Sequence, residues 1–299
     1  MRDDFGVLIL SHGRPDEVET TITALTSGGF RSGGYTGKWW IVLDTEDPTA
    51  DAYAARWGAD RLLFFDKDQI AETFDLADNG GPRGVIIYAR NAAARLARDL
   101  GLTYYMQLDD DYTYFAHRYA EAGSLRYAYG RNQLDAVFEA FVRFLDASGA
   151  LTVAMAQAGD FIGGAGPAWH RWPLRRKAMN TFIARVDRPI RFVGRINEDV
   201  NTYVWRGSQG DLFYTVTAFA IDQRNTQTQD GGMTGAYLDG GTYVKSFYTV
   251  MMMPSAVRIS TMGWTSRRIH HHVDWNKAVP RVLSDRYRKP RPGLLPAGG

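Results

Sequence analysis

A short apolar segment that ends in three consecutive aspartates constrains this chain more than any other feature. Residues 102–114 read LTYYMQLDDDYTY, and their aromatic and apolar side chains predict a buried strand that stops at Asp109. A helix-like run, ARNAAARLARDLG, precedes the segment. Open α/β folds bind their ligands at the carboxyl ends of the strands. The aspartates are therefore expected at a ligand-binding edge of a sheet.

The spacing of the three acids predicts what they bind. Residues two apart in an extended segment point to the same side, so Asp109 and Asp111 can face one ligand while Asp110 faces elsewhere. Two such carboxylates suit a hard divalent cation that keeps positions open for phosphate oxygens. The alternative is a solvated acidic loop after a strand, because short acidic motifs are common.

Apolar runs alternate with amphipathic segments through the first half of the chain. Strands are predicted at 5–10, 39–44, 61–65 and before Asp109, with helices from 16, at 48–57 and at 90–100. This order favours an α/β fold with a Rossmann-type, mostly parallel central sheet flanked by helices. We expect a single domain over 1–289, with a first half at 1–115 and a second half at 116–289, and a disordered tail at 290–299.

The second half gives a less regular pattern. An amphipathic helix is predicted at 132–145, followed by a loop at 159–180 and a helix at 198–205 with Asn197 as its N-cap. A polar, glycine-rich loop is predicted at 222–242. Further strands are expected at 151–156, 181–186, 191–193 and 212–221.

Composition excludes several classes of protein. The 299 residues are 45% hydrophobic and 23% charged, which is typical of a soluble globular protein. No apolar run reaches about 18 residues and no signal peptide is recognised, so we expect a cytoplasmic protein without a membrane partner. The absence of cysteine excludes disulfides and thiolate metal sites. No G-x-G-x-x-G follows the first strand and no P-loop occurs, so dinucleotide and Walker sites lack their phosphate cradle.

Two later motifs carry candidate chemistry. Asn197-Glu198-Asp199 is a second acidic cluster, which can supply a carboxylate that takes a proton from an attacking hydroxyl. The same acids could simply stabilise a helix N-terminus. The run at 270–272 consists of three histidines, which are either metal ligands or surface residues, and strand alternation would turn His270 and His272 to one side.

Cations and aromatic residues are interleaved in the loop at 159–180. Such a stretch suits nucleic acid, because cations meet phosphates and rings can stack on an extruded base. An ordinary loop with buried tryptophans is the alternative. A basic segment at 267–291 also favours an anionic partner, diphosphate or nucleic acid, unless it is a solvated tail. The candidate DNA-binding residues are Trp169, Arg171, Trp172, Arg175, Arg176 and Lys177.

Taken in order, these motifs resemble those of GT-A glycosyltransferases: the Ser11-His12-Gly13-Arg14-Pro15 turn, Asp44 after a strand, Arg90-Asn91 on a helix, the aspartate run and the later acidic cluster. Over about residues 5–272 the chain is similar to the phage glycosyltransferases associated with Tet/JBP-type dioxygenases. These relatives of the base J glucosyltransferase glycosylate hydroxymethylated bases in DNA. The resemblance implies a GT-A-like sheet with a smaller mixed acceptor-side sheet toward the C-terminus, in the host cytoplasm if a phage encodes the protein.

The resemblance also implies a role for each motif. A cation, Mn²⁺ or Mg²⁺, would be held by Asp109 and Asp111 with His270 or His272, and Asp199 or Glu198 would be the base of an inverting transfer. The donor would be a nucleoside-diphosphate sugar, a UDP-sugar by expectation, and the partner would be DNA with a hydroxymethylated base. Another acceptor, a non-catalytic DNA-binding protein and a metal-dependent nuclease stay open as alternatives. The donor site would comprise Ser11, His12, Arg14, Asp44, Arg90, Asp109 and Asp110.

Overall fold

The computed structural model describes residues 1–27, 33–77, 83–157, 160, 180–223, 234–262, 268–280, 282 and 285. Four strands from the first half form one side of a large sheet, in the order β3, β2, β1, β4, and all of them run parallel. Every residue of β1 is buried, which is the pattern of a central strand covered on both faces. The strands are β1 (Phe5–Leu10), β2 (Lys38–Asp44), β3 (Leu62–Phe65) and β4 (Tyr104–Asp109).

The second half of the chain extends the same sheet. Beyond β4 the order is β8, β7, β9, β5, β6, which makes nine strands among the described residues. In this extension β7 and β9 pair in parallel, and the other neighbours are antiparallel. The strands are β5 (Tyr112–Glu121), β6 (Ser124–Tyr129), β7 (Thr152–Ala156), β8 (Phe182–Arg185) and β9 (Phe213–Gln223).

A separate antiparallel pair, β10 (Val257–Met262) and β11 (Arg268–Val273), completes the strands that the structure describes. The predicted α/β class with a large central sheet and a smaller C-terminal sheet is therefore confirmed. The parallel pairing is confined to β1–β4 and to the β7–β9 pair, and the smaller sheet is antiparallel rather than mixed.

Helices cover both faces of the large sheet. They are α1 (Val18–Thr26), α2 (Ala50–Trp57), α3 (Lys67–Ala71), α4 (Ile87–Asp99), α5 (Leu134–Ser148), α6 (Glu198–Ser208), α7 (Thr234–Met252) and α8 (Trp275–Ala278), and a 3-10 turn spans Ala59–Arg61. One face packs α1 and α5 in a core that includes Phe5, Phe115 and Phe138. The other face packs α4 in a core that includes Leu8 and Tyr105.

Two predicted elements differ from the structure. Residues 191–193 are not a strand, because their backbone groups bond to side chains: Asn91 accepts from the Phe192 amide and donates to its carbonyl, and Thr202 accepts from Val193. The part of the predicted loop at 234–242 is instead the first half of α7. Glycine disfavours a helix interior, which is why the sequence favoured a loop there, but tertiary packing overrides propensity, and the second half of α7 carries the buried residues Ser246, Tyr248 and Thr249.

β5 and β6 form an antiparallel hairpin that was not predicted from the sequence. The predicted disordered tail at 290–299 lies outside the described residues. None of the helices in the described ranges has both the length and the apolar character needed to cross a membrane.

Candidate active site

The carboxyl ends of β1, β2 and β4 meet at one edge of the sheet, as the sequence predicts. Leu10, the last residue of β1, pairs with Asp109, the last residue of β4. The turn after β1 is held to β2 because the Ser11 amide donates to the Val42 carbonyl at 3.2 Å. Thr21 of α1 fixes the aspartate run, since its hydroxyl donates to the Asp109 carbonyl and accepts from the Tyr112 amide, both at 2.9 Å.

Asp110 lies inside the protein beneath the turn that follows β1. Its side chain is fully buried and accepts hydrogen bonds from the Ser11 hydroxyl at 2.6 Å and from Arg14 at 2.5 Å. Tyr53 of α2 completes the network: its hydroxyl lies 2.6 Å from the Ser11 hydroxyl and accepts from the Arg14 amide at 2.9 Å. Burial raises the pKa of Asp110 to about 7, although Arg14 and Ser11 act in the opposite direction. The buried acid thus orients Arg14 toward the sheet edge.

Asp44 at the end of β2 is buried between His12 and Lys67. One carboxylate oxygen lies 2.7 Å from His12 Nδ1, and the other lies 2.8 Å from the ammonium of the buried Lys67. Burial alone would raise the pKa of Asp44, but His12 and Lys67 outweigh it and lower the pKa to about 2. The hydrogen bond to Asp44 in turn raises the pKa of His12. Asp44 and His12, both predicted at the donor site, therefore form one charged unit.

Arg90 of α4 joins the two acidic clusters. Its Nη2 lies 3.0 Å from Asp109, and its Nε donates to Glu198 at 2.9 Å. Burial would lower the pKa of Arg90, but Asp109 and Glu198 outweigh burial and raise it. Burial, followed by the charge of Asp199, raises the pKa of Glu198 to about 6 even though Arg90 opposes this shift. The first turn of α6 is thereby tied to the tip of β4.

Asp199 is linked to the same arginine through Asn180. With the Asn180 amide in the orientation that satisfies its neighbours, its nitrogen donates to Asp199 at 2.9 Å and its oxygen accepts from Arg90 at 3.2 Å. Asp199 is 7% exposed and Glu198 is 4% exposed, so both predicted base candidates lie in a largely buried site. Buried carboxylates next to fixed donors are the setting in which a general base is tuned.

Asp111 is partly buried, in contrast to the fully buried Asp110. Both of its carboxylate oxygens accept from the Gln223 amide at 3.1 Å. Burial and the neighbouring Asp109 charge raise the pKa of Asp111. Both Asp109 oxygens accept from Arg90, at 3.0 and 3.3 Å, and the assignment of Asp109 and Asp111 as ligands of a divalent cation stays a prediction. Within the described ranges, no group of three or more acids and histidines is assembled for a metal.

The histidine run lies on β11, and His271 is the residue that faces the start of α6. His271 Nδ1 lies 3.5 Å from the Asn197 amide nitrogen. The His270 ring lies against the His271 ring, with their centroids 4.2 Å apart. The assignment of His270 and His272 as metal ligands stays a prediction.

Asn197 occupies the predicted N-cap position, but its side chain does not cap α6. Its backbone is left-handed, with φ 57° and ψ 38°, and its amide donates to the Lys245 carbonyl at 2.5 Å and to the Thr249 hydroxyl at 3.2 Å. Asn197 is therefore the N-cap residue by position, and its side chain binds α7 rather than the first turn of α6.

Four residues that contact the predicted site residues were not predicted, because none of them belongs to a recognisable motif. Each contacts the site from a distant part of the chain: Tyr53, Lys67, Asn180 and Gln223. The predicted DNA-binding residues lie outside the described residues: Trp169, Arg171, Trp172, Arg175, Arg176 and Lys177.

Comparison with known proteins gives one family. The sequence profile described as TET-associated glycosyltransferase matches residues 5–232. Among curated proteins, none matches this chain. Similar solved structures include glucosyl-3-phosphoglycerate synthase from Mycobacterium tuberculosis in complex with Mg²⁺ and UDP, at 11% identity and a TM-score of 0.43, covering 91% of this chain and 87% of that one. Another is the mannosyltransferase PcManGT from Pyrobaculum calidifontis with GDP-Man and Mn²⁺, at 11% identity and a TM-score of 0.45, covering 76% and 59%.

The family assignment rests on the profile match, which spans well over half of the chain. It confirms the resemblance that the motifs suggested. The match includes the turn after β1, Asp44, Arg90, the aspartate run and the start of α6. The chain belongs to the TET-associated glycosyltransferase family.

Proposed function

We propose that this glycosyltransferase moves a sugar from a nucleoside-diphosphate sugar to the hydroxyl of a 5-hydroxymethyl-pyrimidine base in DNA, with inversion and with the help of a divalent cation. The observation that carries the proposal is the Arg90 bridge, in which one buried guanidinium contacts both Asp109 and Glu198. Because the bridge joins the start of α6 to the tip of β4, it supports a base and a cation that act at one site.

The donor side is built from the sheet edge. Arg14, oriented by Asp110, offers a cation to phosphate or ribose, and the His12–Asp44 unit offers polar groups to the nucleotide base. Asp109 and Asp111 would hold the cation, Mn²⁺ or Mg²⁺. When bound, such an ion neutralises charge that develops on the departing diphosphate. A UDP-sugar is the expected donor.

The acceptor side is supplied by the start of α6. We assign the base role to Asp199, whose carboxylate is oriented by Asn180, and a positioning role to Glu198, which forms an ion pair with Arg90. Asp199 takes the proton of the acceptor hydroxymethyl group while the hydroxymethyl oxygen attacks the anomeric carbon of the sugar and the nucleoside diphosphate leaves. The family description, which associates these enzymes with TET proteins, and the predicted basic aromatic segment at 169–177 together favour DNA as the acceptor.

Direct transfer tests the proposal. The full chain is incubated with DNA that contains 5-hydroxymethylcytosine or 5-hydroxymethyluracil, a panel of labelled nucleotide sugars, and Mn²⁺, Mg²⁺ or EDTA. Nucleoside digests analysed by mass should show one added sugar, and only with hydroxymethylated DNA and a metal. A lack of transfer to DNA with every donor would refute the acceptor assignment, and full transfer in EDTA would refute the metal.

Matched variants separate the two acids. Asp199→Asn should abolish transfer while donor binding persists, because the amide cannot accept the proton. Glu198→Gln keeps an oxygen acceptor for Arg90 and should retain part of the activity. The exposed Asp99→Asn on α4 serves as the control, since its side chain is 63% exposed and lies at the far end of the helix from Arg90. Equal activity of Asp199→Asn and Asp99→Asn would contradict the assigned base.

A further inference from the structure

The β5–β6 hairpin carries a cluster of tyrosines on one face. Tyr114, Tyr127 and Tyr129 pack ring against ring, with centroid separations of 6.4 Å for 114–127, 5.1 Å for 114–129 and 5.4 Å for 127–129. The Arg118 guanidinium lies over Tyr127, 5.1 Å from the ring centre. Tyr127 is 48% exposed. We call Tyr114, Arg118, Tyr127 and Tyr129 the tyrosine stripe.

The stripe lies on the face of the sheet that also carries Arg90. Residues alternate between faces along a strand, and the opposite face of β5 carries Phe115 and His117, which pack in or against the core of α1 and α5. The stripe therefore faces the other side, where α4 packs and Arg90 reaches Asp109. An aromatic surface and the acidic site share one face of the protein.

The stripe also leads directly away from the acids. β5 begins at Tyr112, the residue after Asp111, so Tyr114 is the member of the stripe nearest the site. From Tyr112 to Arg118 an extended strand covers about 20 Å. A linear polymer that lies along the hairpin would thus have one end at the acids.

We propose that the tyrosine stripe binds a single DNA strand next to the base that is modified, by stacking bases on the rings. This inference rests on the proposed function for its ligand. Tyrosine faces stack on every base and an arginine adds a cation, which is the usual composition of a surface for single-stranded nucleic acid. On the hairpin strands the stripe's face carries the cation Arg118, whereas Glu121, the one acid of residues 112–131, lies on the opposite face and pairs with Arg126, so the face of the stripe is complementary to a phosphate backbone.

DNA binding, measured apart from sugar transfer, tests the stripe. Fluorescence anisotropy is recorded with the full chain and a labelled 12-nucleotide single strand that has no hydroxymethyl group. Loss of one stacked base weakens binding by about 5-fold or more, so Tyr127→Ala should raise the Kd by at least that factor. Tyr127→Phe keeps the ring and should bind like the wild type.

The hairpin offers a matched control. Tyr119 lies on β5 but points to the opposite face, and it is 43% exposed, so Tyr119→Ala removes an equally accessible ring without touching the stripe. Its Kd should stay within about twofold of the wild type, because surface changes away from specific contacts have small effects. Arg118→Ala and Arg126→Ala form a second pair, since Arg126 lies opposite Tyr119.

The outcomes separate this inference from the proposed function. The stripe is refuted if the wild type does not bind the strand, or if Tyr127→Ala and Tyr119→Ala bind equally. It is also refuted if Tyr127→Ala changes only oligosaccharide binding, or only self-association in sedimentation, because the face would then serve a glycan or a second copy. If the protein binds single-stranded DNA through Tyr127 but transfers no sugar to hydroxymethylated DNA, the proposed function is refuted while the role of the stripe in DNA binding is supported.

Discussion

Replacing Arg90 by methionine tests the electrostatic logic of the site. The methionine fills much of the same space but leaves Asp109 and Glu198 without their shared cation. Glu198 is 4% exposed, so its charge cannot be solvated by water. Removing one partner of a buried ion pair costs about 3–5 kcal/mol, because the remaining charge is uncompensated. A loss of that size is a large fraction of the roughly 5–15 kcal/mol by which a domain is stable.

Urea unfolding at pH 8 measures this loss, with Arg95→Met as the control. Arg95 lies on the same helix, is 57% exposed and only approaches Asp99 at 4.0 Å, so its replacement should change the free energy of unfolding by about 0.5 kcal/mol or less. Adding Glu198→Gln to Arg90→Met should recover part of the loss, since one of the two stranded charges is removed.

The pH dependence gives an independent check. The pKa of Glu198 is about 6 with Arg90 present, and Arg90 is a group that lowers it. Without the arginine the pKa rises further, and below it the carboxyl is neutral and needs no cation. The deficit of Arg90→Met relative to the wild type should therefore shrink between pH 8 and pH 5. A deficit below about 1 kcal/mol at pH 8, or one that does not change with pH, would refute the reasoning.

Three further changes probe the rest of the site. Burial raises the pKa of Asp110 from 3.8 to about 7, so this group lowers the free energy of unfolding of the wild type as the pH rises from 4 toward 7. In Asp110→Asn, the dependence of that free energy on pH, measured by urea unfolding, should lose the contribution of one proton, about 1.4 kcal/mol per pH unit. An unchanged pH dependence would contradict this prediction. Tyr53→Phe should lower the free energy of unfolding by about 1–3 kcal/mol and raise the KM for the donor more than it lowers kcat, because the Arg14 amide and the Ser11 hydroxyl lose a hydrogen-bond partner. Equal KM values for the donor in Tyr53→Phe and the wild type would count against this prediction. Asp111→Asn should abolish the thermal shift that Mn²⁺ and donor give the wild type while the circular dichroism spectrum stays the same; a retained shift would show that the cation binds elsewhere.

β1 and β4 were the most predictable strands because they are the most buried. β1 is a continuous apolar run and the first five residues of β4 are buried, and such segments have few alternatives to a central strand. The β5–β6 hairpin was not predictable on the same basis, since β6 is an exposed edge strand with no buried face. Its turn uses Ala122 and Gly123, both at positive φ, and alanine there gives a far weaker hairpin signal than Asn-Gly would.

The position of the acids could be predicted, but their partners could not. Ending a buried strand on Asp109 determines which edge of the sheet receives the carboxylates. Nothing in local spacing indicates that Arg90 reaches Glu198, 108 residues later, or that Asp110 turns inward to Ser11 and Arg14. Such pairings depend on how α4 and α6 pack against the sheet, which is a tertiary property.

The family match ends at residue 232, and residues beyond that point hold α6 in position. The Asn197 amide donates hydrogen bonds to the Lys245 carbonyl and the Thr249 hydroxyl of α7. Gly207 lies so close to α8 that an added Cβ would come within 2.3 Å of the Ala278 carbonyl oxygen. The helix that carries both base candidates therefore packs against residues outside the stretch that matches the family. In a protein trimmed to that stretch, the helix that carries Glu198 and Asp199 would lose its contacts with α7 and α8.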